Sequence, residues 1–215
     1  MPASVHGSSH PGHHQPEGPD AVLEFWFGDG LQLGWPSDDR SKLWWGGGAE
    51  LDEKVNSRFG ERVREALAEE LQPWANEPLN RLALVILLDQ FTRNVFRGQA
   101  RAFSGDGLAQ ALVMQALDVG MDRHLPWVGR LFFYMPLMHS ENLARQDECV
   151  KRFTALQAEV PQALKQTLNG NLKFAVEHRD IIAKYGRFPY RNKVLGRLNS
   201  PEEDEFLKHG PRFGQ

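Results

Sequence analysis

The segment LALVILLDQF, residues 82–91, contains the longest apolar run of the chain. It opens with seven consecutive apolar residues, 82–88, and it follows Pro78, which suits the first turn of a helix because no hydrogen-bond donor is needed there. A helix that is apolar on every side has to be surrounded by other helices. We therefore predict a central helix that begins near Pro78 and carries Asp89 at its buried end.

Helix signals also recur along the rest of the chain. Asp20 is a capping residue type and Gly28 a typical stop, and apolar residues recur at every fourth position from Leu51 to Val63. Because no segment alternates like a strand, we predict an all-α fold, a single-domain array of seven to eight helices. Further helices are predicted from Ser104 to Gly120, from Pro126, over about 139–159, from Pro161 to Tyr185, and from Ser200, where Ser-Pro-Glu-Glu is a capping-box pattern.

The first 19 residues differ in composition from the rest of the chain. They hold four prolines, three glycines and half of the eight histidines. Such a segment buries too little apolar surface to fold. We predict a disordered tail over 1–19 and one helical domain over 20–215, with no metal role for the tail's histidines.

The composition excludes several classes of protein. The longest apolar run has seven residues, against the ~20 needed to span a bilayer, and no signal peptide is recognisable, so we expect a cytoplasmic protein with no membrane partner. The single cysteine, Cys149, has no partner for an internal disulfide. A formal net charge of −3 argues against nucleic-acid binding. No phosphate-binding loop or nucleophile elbow occurs, and we predict no cofactor.

The charge is distributed unevenly along the chain. Residues 90–105 contain three arginines and no acid, and residues 181–200 contain five basic residues and no acid. The two windows carry +8, which leaves −11 for the remaining chain. Two basic segments in an acidic protein indicate a local anionic partner, although two solvated loops would have the same composition.

Arg179 lies in the middle of the apolar stripe predicted for the long helix that ends near Tyr185. A buried arginine stays ionised and requires a carboxylate or an anionic ligand. Two roles therefore stay open at this point. Arg179 pairs with Asp89, or it lines a cavity together with the arginines of the two basic windows.

His139 and His178 are the candidate acid–base residues. Ser140 is predicted to cap a helix, which places His139 at a helix start, where backbone dipoles favour an anion. Spacings such as those joining His139 to Glu141 and His178 to Asp180 are too common to predict a metal site. The adjacent Trp44 and Trp45, next to three glycines, are interpreted as a pocket wall, a partner-binding surface or core packing.

Several long motifs resemble one known family. They are LEFWFG near the start, LLDQFTRN followed by FRG and ARAF, PLMHSE, and HRDIIAKYGRFPYRN followed by LGR. These blocks, in this order over about residues 20–208, resemble the bacterial domain-of-unknown-function family 924. The resemblance implies an all-helical, tetratricopeptide-like superhelical arrangement, and it implies no reaction.

We expect a pocket for a small anionic ligand that bears a phosphate or a carboxylate. If the pocket is catalytic, hydrolysis or group transfer fits best, with His139 or His178 as general base. The alternative is a helical interaction module that binds an acidic peptide. A third interpretation is purely structural, with every guanidinium paired and no cavity nearby. The candidate residues are Asp89, His139 and His178 for acid–base roles and Arg93, Asn94, Arg97, Arg179, Arg187 and Arg191 for ligand binding.

Overall fold

The computed structural model of the protein describes residues 17–211, and every regular element within that range is helical. The predicted tail, with its four histidines, lies outside the described residues except for its last three positions. Glu17 is held against the first long helix, because its carboxylate accepts a hydrogen bond from Arg58 (2.9 Å) and its carbonyl accepts one from Arg62 (2.8 Å).

Ten α-helices occur in the described part of the chain. Two of them, Gly30–Leu33 and Thr92–Val95, have only four residues, so a periodic sequence pattern cannot reveal them. The other eight are longer. The predicted all-α class is confirmed. The helices are α1 (Pro19–Phe27), α2 (Gly30–Leu33), α3 (Ala49–Leu67), α4 (Pro78–Ile86), α5 (Thr92–Val95), α6 (Asp106–Asp118), α7 (Trp127–Met138), α8 (Leu143–Glu159), α9 (Gln162–Tyr185) and α10 (Pro201–His209).

Helix α4 lies at the centre of the core, as its sequence predicts. Every side chain from Leu82 to Leu88 is at most 2% exposed. α4 packs against α1, α6 and α7, while α8 packs between α7 and α9. Within residues 17–211, no helix combines the length and the apolar character that crossing a bilayer requires.

The central helix does not end at Ile86. It continues through a π-helical turn, Leu87–Phe91, into α5. Two side chains bind carbonyl oxygens of this turn: the Thr92 hydroxyl donates to Leu88 (2.8 Å) and the Arg93 guanidinium donates to Asp89. Such side-chain bonds compete with the regular backbone ladder and stabilise a widened turn. The turn carries Asp89, and π-turns inside helices occur frequently at functional sites.

The C-terminal helix α10 begins with the predicted capping box. The Ser200 hydroxyl accepts a hydrogen bond from the backbone N–H of Glu203 (3.2 Å), and the Glu203 carboxylate accepts one from the N–H of Ser200 (2.7 Å). The motif satisfies two backbone donors at once. The Ser200 signal is therefore confirmed.

Gly105 sets how closely α6 approaches the π-turn. A Cβ at this position would lie inside the van der Waals radius of the Leu88 carbonyl oxygen. The contact is with backbone, which moves less easily than a side chain. Close packing of Gly105 against the turn places the next residue, Asp106, beside it.

We expect Gly105→Ala to lower the free energy of unfolding by about 1–3 kcal/mol, because α6 has to move away from the turn. Gly107→Ala is the matched control on the same helix, since open space surrounds its Cβ position. It should leave stability unchanged or raise it by up to ~1 kcal/mol through helix propensity. Urea unfolding measures both, and equal effects of the two substitutions would contradict the packing described.

Candidate functional site

A cavity of about 350 Å³ lies beside the π-turn. Most of its wall is apolar and aromatic, with side chains from α1, α7, α8, α9 and the segment before α3. Polar groups are contributed by the π-turn, by the chain that follows it, and by the two candidate histidines. The polar lining residues are Gln90, Arg93, Asn94, Arg97, His139, Asn171 and His178, and the aromatic ones are Trp26, Trp44, Trp45, Phe153 and Phe174.

Asp89 and His139 form a pair at the wall of this cavity. Asp89 is fully buried, and its Oδ1 lies 2.7 Å from Nδ1 of His139, while Gln90 donates to Oδ2 at 2.5 Å. Burial alone would raise the pKa of Asp89. The charges of His139 and Arg93, together with these hydrogen bonds, outweigh burial and hold that pKa below its ordinary value. Asp89 is therefore an ionised acceptor at neutral pH.

The ionised carboxylate determines the orientation of the imidazole. Because a carboxylate only accepts, Nδ1 of His139 carries the proton and donates it to Asp89. Nε2 makes no hydrogen bond to any residue within 17–211, and the ring borders the cavity. His139 thus borders the cavity with its Nε2 unpaired among residues 17–211 and with a buried negative charge at its Nδ1.

The predicted position of His139 at a helix start is wrong. His139 ends α7, and α8 is capped by Asn142, whose Oδ1 accepts the backbone N–H of Arg145 (3.2 Å). Ser140 is buried and donates to Gln110 (3.0 Å). The free N–H groups that would attract an anion are therefore absent at His139, and its chemistry rests on Asp89.

Arg93 and Arg191 share one buried carboxylate behind the pair. Arg93 contacts both oxygens of Asp106 (3.0 and 3.2 Å), and Nη1 of Arg191 lies 3.3 Å from Oδ2 of the same carboxylate. Nη1 of Arg191 also donates to the backbone carbonyl of His139 (3.1 Å). Arg191 therefore positions His139 from outside the cavity lining and does not border the cavity.

Aromatic rings shield the Arg191 guanidinium from water. It lies 4.6 Å from the ring centroids of both Phe103 and Phe188. Cations over aromatic faces gain electrostatic attraction that increases with desolvation. Asp106, the partner of this cation, is not indicated by any motif in the sequence, although it is the first acid after the basic window 90–105.

Arg97 and Asn94 lie at the rim of the cavity and both bind Asp52 of α3. Arg97 uses Nε (2.5 Å) and Nη2 (2.8 Å), and Asn94 donates at 2.9 Å. The Arg97 side chain is 44% exposed, and its Nη1 makes no hydrogen bond within the described residues. Asp52 is the second functional carboxylate that the sequence analysis missed.

His178 lines the cavity but is a poor candidate for a base. Nδ1 donates to the Phe174 carbonyl (2.7 Å), and the ring centroid lies 6.4 Å from that of His139. Burial, reinforced by the charge of His139, lowers the pKa of His178 to about 3. His178 is neutral at physiological pH.

The structure does not bring Arg179 or Arg187 to the cavity. The Arg179 side chain is 39% exposed and pairs with Asp147 (2.9 Å) and Asp180 (3.3 Å), so the predicted burial and the predicted pair with Asp89 are both wrong. Along this half of α9 the buried stripe passes through His178 instead, and an outward arginine avoids the cost of desolvation.

Arg187 has a structural partner as well. Its guanidinium donates to both carboxylate oxygens of Glu203 (2.6 and 2.7 Å). This ion pair links the segment that follows α9 with helix α10. The two carboxylates named with His139 and His178 as possible metal ligands have arginine partners instead, Glu141 with Arg197 (2.7 Å) and Asp180 with Arg179 (3.3 Å). Among residues 17–211, no group of three or more His, Cys, Asp or Glu side chains could hold a metal ion.

The tryptophan pair is carried by a second π-helical turn, Lys42–Gly46. Nε1 of Trp44 donates to the backbone carbonyl of Trp26 (2.9 Å). Trp45 stacks on Phe132, with ring centroids 5.8 Å apart and planes 12° apart, yet it remains 52% exposed. Trp44 therefore packs against the core, while Trp45 forms part of the rim, and both line the cavity.

The fold and the site define an all-helical protein in which a buried carboxylate–imidazole pair borders an aromatic cavity. Residues 22–211 match the family described as "Bacterial protein of unknown function (DUF924)", and the chain belongs to this family. The resemblance noted from the motifs is confirmed. A solved structure, the protein of unknown function ATU0120 from Agrobacterium tumefaciens, is similar at 34% identity and a TM-score of 0.71, covering 89% of this chain and 97% of that one. Comparison with curated proteins gave no match.

His178 should make the protein less stable in mild acid. Its pKa is about 3 when folded and 6.5 as a free group, so below pH 6.5 the unfolded chain binds a proton that the folded protein does not. Its contribution to the free energy of unfolding should therefore fall by up to ~1.4 kcal/mol per pH unit below about pH 6. His178→Asn keeps a donor for Phe174 without titrating, and urea unfolding between about pH 4.5 and 6 should give it a shallower slope than the wild type. Parallel slopes would contradict a buried neutral His178.

Proposed function

We propose that the protein binds a small anionic molecule in the cavity and that His139 acts on it as a general base or hydrogen-bonding group. The observation that carries this proposal is the Asp89–His139 pair, because His139 borders the cavity and its Nε2 makes no hydrogen bond within residues 17–211. A buried carboxylate that orients an imidazole toward a substrate is the arrangement by which histidine is made an effective base. Asp89 acts through His139 and does not reach the ligand.

The composition of the wall supports a negative charge on the ligand. Asp52, Asp89 and Asp106 all lie behind the lining, and no carboxylate is among the described residues that line the cavity. The lining itself presents two guanidinium groups, Arg93 and Arg97, together with amide donors. Since the rest of the wall is apolar, charges at this site are less screened than in water. Nη1 of Arg97, which makes no hydrogen bond within residues 17–211, can donate to an oxygen of a phosphate or a carboxylate.

The lining also restricts the kind of reaction. Its described residues include no serine, threonine, cysteine, lysine or tyrosine to act as a nucleophile. Histidine can act as a nucleophile too, but with His139 as the base the nucleophile would be water or a hydroxyl of the substrate, whose proton His139 accepts. A hydrolase or a transferase with that mechanism is the form of activity we propose.

Pairing of the arginines fits part of the structural interpretation. All five candidate arginines contact a carboxylate, but Arg93 and Arg97 also border a cavity, a combination that a purely structural role does not require. No contact in the described chain favours an acidic peptide over a small molecule. The peptide alternative, the tetratricopeptide-like arrangement and the cytoplasmic location stay predictions.

Arg97→Ala should weaken anion binding, because Arg97 is the exposed guanidinium at the rim. The measurement is a thermal-shift titration with inorganic phosphate, benzoate and citrate. We expect at least one of them to raise the Tm of the wild type, since a ligand at 100 times its Kd adds ~2.7 kcal/mol of stability. Arg97→Ala should lower the affinity about tenfold.

Arg179→Ala is the matched control for this experiment. It removes a paired and partly exposed arginine that does not line the cavity. Its binding should equal that of the wild type. No shift with any of the three anions, or equal losses in the two variants, would count against the proposed site.

Catalysis should depend on His139 and Asp89. The substrates are p-nitrophenyl phosphate, which bears a phosphate, and p-nitrophenyl hemisuccinate, which bears a carboxylate. Hydrolysis of either one releases coloured p-nitrophenolate. We expect His139→Gln to lower turnover by about 10²- to 10⁴-fold, and Asp89→Asn to lower it by a comparable factor because the imidazole loses its orientation. Arg179→Ala is again the control. Unchanged turnover in His139→Gln, or none in the wild type, would contradict the catalytic part of the proposal.

A further inference from the structure

A second cavity, of about 430 Å³, lies directly beside the first. The two cavities share four lining residues, Trp44, Trp45, Asn171 and Phe174. These four residues therefore form a wall common to the cavity that His139 borders and to the second cavity. Two adjoining cavities of similar size suit one ligand that extends through both.

We infer that the two cavities form one site with two compartments for an elongated ligand. Its anionic head lies in the first compartment, and a planar aromatic group that carries a hydrogen-bond donor lies in the second. The inference rests on the proposed function, since it takes the first compartment as the place of the anion. It adds the chemical class of the remainder of the ligand.

The shared wall is suited to stacking. Trp45 places one ring face on Phe132, and 52% of its surface stays exposed. Phe174, from α9, is 50% exposed and also borders both compartments. Trp35 contributes a further aromatic side chain to the second compartment. Large aromatic surfaces exposed at a cavity wall are the usual partners of flat rings.

The charges of the two compartments differ in sign, and this sets the ligand's direction. The second compartment is lined by Asp38 and Asp39 but by only one cation, Arg40, which pairs with Asp38 (3.0 Å). Asp39 accepts hydrogen bonds from the backbone N–H (2.9 Å) and the side chain of Ser41, and a carboxylate has about four acceptor positions, so capacity for a further donor remains. A hydroxyl or amino group on the aromatic end is therefore favoured there, and a second anion is repelled.

Three carboxylates test this assignment by isothermal titration calorimetry on the full chain. Benzoate supplies the head alone, 4′-hydroxybiphenyl-4-carboxylate adds a ring with a donor, and biphenyl-4,4′-dicarboxylate places a second anion at the far end. We expect the hydroxybiphenyl acid to bind about tenfold more tightly than benzoate through stacking, and the dicarboxylate to lose most of that gain.

Two variants test the contacts that the aromatic end of the ligand would make, one at the shared wall and one in the second compartment. Trp45→Ala should reduce the affinity ratio of the hydroxybiphenyl acid to benzoate by about fivefold to tenfold. Asp39→Asn should reduce the difference in affinity between the hydroxybiphenyl acid and the dicarboxylate. Asp118→Asn removes an exposed carboxylate outside both cavities. It should leave the difference in affinity between the two biphenyl acids as it is in the wild type.

The outcomes separate this inference from the proposed function. If benzoate binds and depends on Arg97 but the biphenyl acids bind no better, the second compartment is not a ligand site and the inference is overturned. If the ratio survives Trp45→Ala, the assigned stacking surface is wrong. Failure of all three acids and of inorganic phosphate to bind would instead remove the proposed function itself.

Discussion

The rest of the site depends on one constraint, the need to keep a buried carboxylate charged. Asp89 lies on the most deeply buried helix of the described chain, with no contact to solvent. An ion in that position is tolerated only when hydrogen bonds and opposite charges surround it. His139 and Gln90 each form a hydrogen bond with the Asp89 carboxylate, and Nη1 of Arg93 lies 3.6 Å from its Oδ1. The histidine at the cavity wall is therefore also part of what makes the core stable.

The same requirement continues outward from Asp89 through charges of alternating sign. Arg93 has to be neutralised further, by Asp106, and Asp106 in turn accepts Arg191. Arg191 closes the chain of contacts by donating to the carbonyl of His139. Buried networks of this kind hold their members rigidly, because each group that moves leaves another without a partner. Rigid placement of His139 is what proton transfer to or from a ligand requires.

Local features of the structure were predictable from the sequence, and distant pairings were not. The helix starts at Pro78 and Ser200 depend only on neighbouring residues, so the sequence predicts both of them correctly. The partners of the site arginines come from far along the chain: Asp52 is 45 residues from Arg97, and Asp106 is 85 from Arg191. No spacing rule connects such positions. Arg179 lies in the predicted apolar stripe only if that stripe runs straight along α9, whereas the buried residues near its C-terminal end are Ala175, His178, Ile181 and Ile182. Neither π-turn has a periodicity that a sequence pattern reveals.

The π-turn in the central helix has a consequence for the phase of everything that follows it. A π-turn holds one residue more than the α-turn it replaces, and each residue advances an α-helix by about 100°. Leu87–Phe91 therefore rotates α5 relative to a regular continuation of α4. Loss of one residue from this turn would disturb the core, because all five of its residues are buried. It would also turn Arg93 and Asn94 by about a quarter of a circle away from the cavity. The positions of these polar groups are thus governed by the number of residues in one helical turn as much as by their identity.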